Sequence, residues 1–184
     1  MKRDELDHVL RAAANILGQR DFLVIGTAAI LGSYPEEDLP ERATRSREAD
    51  LAPFDDPDGG KSMLIEGALG LGSQFEKTFT YYADGVDFRS GVAPYGWKGR
   101  LVEFSSPASK PGRGWCLEPY DLAATKICVG RDKDFEFVGA LLDAGIVNKS
   151  ELMVRMSLMP KDRVTPAQIA RAIGWLDGRR HTAG

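Results

Sequence analysis

Arg45-Ser46-Arg47-Glu48-Ala49-Asp50-Leu51 begins twenty positions after Ile25, the last residue of the apolar run Phe22-Leu23-Val24-Ile25 that ends in Gly26. In an extended strand alternate side chains share a face, so Ser46, Glu48 and Asp50 line up on one side, with Arg47, Ala49 and Leu51 on the other. The two acids are then roughly 7 Å apart along the strand. Like charges held that close need neutralising, and a hard divalent cation that takes carboxylate oxygens does this. The pattern therefore points to a metal-binding edge for a nucleotide triphosphate. The ordinary alternative is a solvated charge run at a strand end.

Working outward, residues 4 to 18 place Leu6, Val9, Leu10, Ala13 and Leu17 at helical spacing, with Gly18 as a stop. Phe22 to Ile25 reads as a buried strand, and Gly26-Thr27 then turns into a helix. Such a turn brings backbone N–H groups close to an anionic phosphate; it is equally the form of a plain β-to-α turn with Thr27 as N-cap. Residues 33 to 45, with Pro35 and Pro40, read as an exposed connector with a short helix near Leu39–Ala43. Asp55, Asp56 and Asp58 lack the order of a calcium loop and read as turn formers.

Met63 to Leu71 predicts a short helix, and the aromatic and β-branched run from Phe75 to Ala83 predicts a strand. That strand runs into Asp84, with Asp87 beyond a glycine. Either acid is placed to supply a third metal ligand or a general base beside Glu48 and Asp50, and either is placed to form a turn. Arg100 to Phe104 predicts a further strand, and Gly112-Arg113-Gly114 a hairpin-like break before Trp115-Cys116-Leu117.

Pro119 opens a helix that puts Lys126 on a face with Leu122, Thr125 and Val129. A lysine there points into a cleft or snorkels outward. Arg131, Lys133 and Asp134 crowd the junction with the next helix, about residues 133 to 144. Lys126 and Arg131 converging on a phosphate chain would stabilise the charge that develops in nucleotidyl transfer; the alternative is an exposed turn of surface ion pairs. Further helices are expected around Leu152 and from Pro166, with Thr165 as cap. From Lys161 onward Lys161, Arg163, Arg171, Arg179 and Arg180 outnumber Asp162 and Asp177. That surplus suits RNA phosphates or simply a solvated end.

Composition sets the outer limits. The chain of 184 residues is 43% hydrophobic and 28% charged, with a net charge of −3. These values suit one globular domain with a small appended lobe, and give no protein-wide field that draws nucleic acid. Cys116 and Cys128 lack metal or redox spacing and read as reduced core residues. No signal-peptide pattern and no run of ~18 apolar residues is present. The expectation is a soluble, cytoplasmic protein without membrane contact.

Taken together, four pieces resemble the polymerase-β-type minimal nucleotidyltransferases, in the branch that groups with the AbiEii and MenT toxins. They are residues 21–31, residues 45–51, residues 81–86 with 96–102, and residues 117–126 with 130–134. The resemblance implies an α/β (α+β) fold: a mixed-sheet core over residues 1–118, flanked by helices, and a helical region over 119–184. It further implies that Gly26, Thr27 and Ser46 hold a nucleotide triphosphate with Lys126 and Arg131. Glu48, Asp50 and Asp84 would hold magnesium, or manganese in its place, and Glu48, Asp50, Lys126 and Asp134 would be catalytic. Glu48 and the Gly26-Thr27 turn depart from the family's D-x-D and Gly-Ser pattern. The implied activity is transfer of a nucleotidyl group to an acceptor hydroxyl, such as a tRNA or other RNA end, by a toxin paired with an antitoxin. An inactive nucleotide- or protein-binding module and an antitoxin-like regulator are the competing readings.

Overall fold

A computed structural model describes residues 1–87 and 92–179. It is an α/β arrangement in which a five-stranded mixed sheet is surrounded by helices. The first helix, α1 (Arg3–Leu17), ends at Gly18, whose φ of 62° is the left-handed stop that glycine supplies without strain. The strands are β1 (Asp21–Ile25), β2 (Glu48–Pro53), β3 (Tyr82–Gly85), β4 (Val102–Phe104) and β5 (Arg113–Cys116), in the spatial order β3-β2-β1-β5-β4. β1 pairs antiparallel with β2 and parallel with β5, while β2 and β3 are parallel.

The two sheet faces differ in chemistry because strand side chains alternate. Phe22, Val24, Ala49, Leu51 and Ala83 point to one face and join the main core with Leu6, Leu10 and Ile65. The other face carries Leu23, Ile25, Glu48, Asp50, Tyr82 and Asp84, set side by side by the register Ile25 to Asp50 to Asp84. Gly114 sits mid-strand in β5 because a Cβ there would come within 2.9 Å of Val24 Cγ2. The run Gly112-Arg113-Gly114 is therefore not a break before a strand: the strand itself begins at Arg113.

Small helices fill the connections. Thr27–Gly32 is a 3-10 helix, followed by α2 (Glu41–Thr44) and α3 (Gly60–Leu69). Asp56 accepts from the backbone N–H groups of Lys61 and Ser62, and Asp58 from that of Gly60, which is the turn-forming role expected of these aspartates.

The strand expected over Phe75–Ala83 is corrected. Residues Gln74–Phe79 form a helix, α4, capped by Ser73, whose hydroxyl accepts from Glu76 N–H at 3.1 Å. Phe75 and Phe79 are four residues apart, so both fall on one helical face, where they meet His8 and Tyr81 at centroid distances of 4.5 to 6.0 Å. Thr80 turns the chain with φ 67°, and only then does β3 begin. The aromatic content spoke for a strand, but the four-residue spacing and the serine cap prevailed.

Four helices follow the sheet: α5 (Pro119–Val129), α6 (Asp132–Asp143), α7 (Lys149–Ser157) and α8 (Pro166–Gly178). Glu118 caps α5 by accepting from Tyr120 and Asp121 N–H, and Thr165 caps α8. One hydrophobic cluster runs from α1 and the sheet through Leu122, Ile127, Leu141, Leu152 and Leu176. Among the described residues no helix is long and apolar enough to cross a membrane.

A buried ion network holds α5 in place. Asp121, fully buried, accepts from Arg100 at 2.9 and 3.0 Å and from Arg155 at 2.7 Å. Arg155 also donates to Glu118. Removing one partner of such a network strands the others without compensation. Asp121→Ala should therefore cost about 3 kcal/mol in urea-denaturation stability; a loss below about 1 kcal/mol would mean the network is an exposed, screened pairing.

Candidate metal centre and adjoining cavities

The acidic face is built by register. Glu48 stands beside Tyr82 and Asp50 beside Asp84 across the β2–β3 pair. Carboxylate oxygens of Glu48, Asp50 and Asp84 lie within 4.8 Å of one another, so one cation can touch all three. Asp87 lies past the end of β3 and is exposed; it lines a different cavity, and Asp84 is the acid that joins the pair.

Gly26 is required by this closeness. Its φ is 68°, and a Cβ built there would fall 1.7 Å from Asp50 Oδ2. The end of β1 thus presses backbone against a carboxylate, which only glycine permits. Thr27 does not act as a side-chain cap; it opens the 3-10 helix whose N-cap is Gly26. Ser46 precedes β2 rather than lying in it. Its hydroxyl accepts from Glu48 N–H at 3.2 Å, which pins the entry into the strand.

The electrostatics follow from the crowding. Burial, and next the neighbouring Glu48, push the Asp50 carboxyl up to about 7. Burial, then Glu66 and Glu48, push Asp84 up to about 6. Tyr82 donates its hydroxyl to Glu48 Oε2 at 3.3 Å, and burial followed by the Glu48 charge raises the phenol to about 12. Asp84 Oδ1 is buried without a hydrogen-bond partner. A donor set of three carboxylates with an unused buried oxygen fits a hard divalent ion that prefers oxygen ligands.

Lys126, on α5, is 7% exposed and lies 3.5 Å from Asp134. Burial lowers its pKa, while the charges of Asp134 and Asp50 oppose that shift. Asp134 is itself buried and also accepts from Arg131 at 2.7 and 3.2 Å. Burial alone would raise Asp134; the Arg131 hydrogen bonds and the Lys126 charge outweigh it and hold the carboxyl below its ordinary value. Asp134 thus anchors Lys126 and Arg131, and its carboxylate is not part of the acid trio.

Two cavities meet at Lys126. One, of ≈ 180 Å³, is lined by Gly26, Asp50, Thr125, Lys126 and Arg131 with apolar Ile25 and Leu117. The other, of ≈ 320 Å³, is lined by Thr27, Ser46, Lys126 and Asp134 together with Arg42, Arg45 and Lys133. All the residues expected at the site therefore lie at the trio or at one of these two cavities. Glu66, Tyr82 and Arg42 were not anticipated. Tyr82 lies two residues before Asp84, a spacing that puts it on the acid face; Glu66 and Arg42 reach the site only through tertiary packing. The basic residues after Lys161 are engaged elsewhere: Arg171 donates to Val129 O and Arg179 to Asp143, while Arg180 lies outside the described residues.

Comparison with protein-family models, curated proteins and solved structures gives no match for the chain.

The raised carboxyls give the site a pH signature. An unfolded aspartate titrates near 3.9, so the neutral form is favoured in the folded, metal-free protein. The stability these groups contribute is present below the unfolded value and lost as pH rises through about 6 to 7. Metal-free Asp50→Asn should therefore melt above the wild type at pH 8, with the difference shrinking toward pH 5. A difference that does not change with pH would contradict the crowding described for Asp50.

Proposed function

We propose that the protein is a magnesium-dependent nucleotidyltransferase that moves a nucleotidyl group from a nucleotide triphosphate to an acceptor hydroxyl. The observation that carries this reading is the convergence of Glu48, Asp50 and Asp84 within 4.8 Å, beside the Gly26 turn and a buried lysine. The resemblance to polymerase-β-type nucleotidyltransferases supports it from the sequence side.

Each side chain has a task in that reaction. Glu48, Asp50 and Asp84 hold the cation, with Tyr82 fixing the Glu48 carboxylate. When bound, magnesium or manganese draws charge from the phosphate oxygens and sets the α-phosphate for displacement. Lys126, held by Asp134, and Arg131 neutralise the pyrophosphate as it leaves. Thr27, Ser46, Arg42, Arg45 and Lys133 offer hydroxyls and cations along the ≈ 320 Å³ cavity, where a phosphate tail is best accommodated. The acceptor oxygen attacks phosphorus, the bond to the β-phosphate breaks, and the hydroxyl proton passes to a carboxylate of the trio.

An RNA acceptor and an antitoxin partner rest on the resemblance alone. A cytoplasmic site of action is supported by the free, buried Cys116 and Cys128.

Thermal unfolding with magnesium and each of the four nucleotide triphosphates tests the reading. At a hundredfold excess over Kd the favoured nucleotide should raise the melting temperature by about 5–10 °C, only when magnesium is present. Glu48→Ala/Asp50→Ala should lose this response while remaining folded, since removing like charges relieves the metal-free protein. No stabilisation by any nucleotide would overturn the assignment.

A further inference from the structure

Asp84 is the member of the trio that the sheet itself holds least firmly. Asp50 lies in β2, which has β1 on one side and β3 on the other, whereas β3 is an edge strand of four residues paired with β2 alone. One row of backbone groups on such a strand has no ladder partner, and its ends open more readily than those of a central strand. Asp84 is the last residue but one of β3. A ligand so placed keeps its position only if something outside the sheet holds the strand end.

That hold comes from α3. Tyr82 and Val86 donate their backbone N–H groups to Arg47 O and Leu51 O beside them, each at 2.9 Å. N–H groups alternate in direction along a strand, so the Gly85 N–H points away from β2, toward the free edge. Glu66 meets it there: Glu66 Oε2 accepts from Gly85 N–H at 3.1 Å. Beside this bond the helix lies directly against the strand, since a Cβ on Gly85 would fall 1.9 Å from Ser62 O. The Ser62 hydroxyl, about one helical turn before Glu66, donates to Val86 O at 3.1 Å. Ser62 and Glu66 thus grip the two residues that follow Asp84 in the chain. The Glu66 charge also reaches Asp84 and helps push its carboxyl up. Yet the oxygens that lie within 4.8 Å of one another belong to Glu48, Asp50 and Asp84, and Glu66 is exposed beside them.

We infer that Glu66 is a positioning residue of the metal centre, holding Asp84 within reach of the cation through the Gly85 N–H without ligating the ion itself. The inference rests on the reading of the acid trio as a metal centre. β2 carries Glu48 and Asp50 with or without Glu66, so loss of the grip leaves two ligands in place and releases the third. What the grip needs at this position is an acceptor oxygen and not a charge, and a glutamine amide oxygen serves as well.

Manganese titration of the full chain, followed by the electron paramagnetic resonance signal of the free ion, tests this with Glu66→Gln and Glu66→Met. Both substitutions remove the charge while keeping side-chain length and helix propensity, and only glutamine keeps the acceptor. The position is exposed, so both variants should fold, and Glu66→Ala repeats the comparison should Glu66→Met fold poorly. Glu66→Met should bind manganese about fivefold more weakly than Glu66→Gln, as expected for one hydrogen bond. In an Asp84→Asn background the two substitutions should bind it equally, because the ligand through which they differ is gone. Equal binding in the wild-type background overturns the inference and leaves the metal centre standing: at the wild-type level it would mean a packing role for Glu66, and tenfold or more below it a direct ligand. A difference that persists in Asp84→Asn overturns it too. A wild type that does not bind manganese defeats the metal-centre reading, and the role of Glu66 falls with it.

Discussion

Three carboxylates with oxygens inside 4.8 Å of one another, partly removed from water, repel each other strongly in the absence of a cation. The sheet accepts that cost by fixing their positions through backbone pairing. Asp50 and Asp84 are register partners, and Glu48 sits two residues back on the same face. Gly26 lets the end of β1 approach Asp50 closer than any side chain would allow. Tyr82 then holds Glu48 by a single hydrogen bond. Hydrophobic burial on the opposite face, through Val24, Leu51 and Ala83, supplies the stability against which this strain is held.

The helical part answers the same charge from the other side. Lys126 is carried to Asp50 by α5, and the orientation of α5 depends on Asp121 gripping Arg100 before the sheet's last strands and Arg155 on α7. At the far end of α5, Asp134 gathers Lys126 of α5 and Arg131, the residue that precedes α6. Two buried aspartates outside the acidic trio therefore decide where the neighbouring lysine and arginine stand. The result is a sequence of charge along β2: basic side chains beside Ser46, then the acidic trio that begins at Glu48.

Much of this centre is legible in the chain because strand periodicity is strict. The two-residue spacing of Glu48 and Asp50 places both on one face whatever the rest of the fold does. Gly26 after an apolar run marks a tight turn, and Pro119 and Pro166 mark helix starts. The choice between Asp84 and Asp87 was not legible, since it needs the register of β3 against β2. The aromatic run Phe75–Ala83 misleads because the four-residue spacing of Phe75 and Phe79 and the Ser73 cap outweigh its strand-like composition and make Gln74–Phe79 a helix. Glu66 reaches Asp84 from a helix that the sequence places only as packing, and the pairing of Asp121 with Arg100 and Arg155 spans 21 and 34 residues. Contacts of that kind are products of the tertiary fold and leave no local pattern.

The central claim is that Glu48, Asp50 and Asp84 act as one divalent-ion centre. Manganese binding followed by electron paramagnetic resonance measures this directly, because the signal of the free ion falls as it binds. The wild type should remove manganese from solution at neutral pH, and Glu48→Gln, Asp50→Asn and Asp84→Asn should each weaken that binding by tenfold or more, as expected for loss of one anionic ligand in three. Binding that survives all three substitutions unchanged, or no binding by the wild type, would contradict the account.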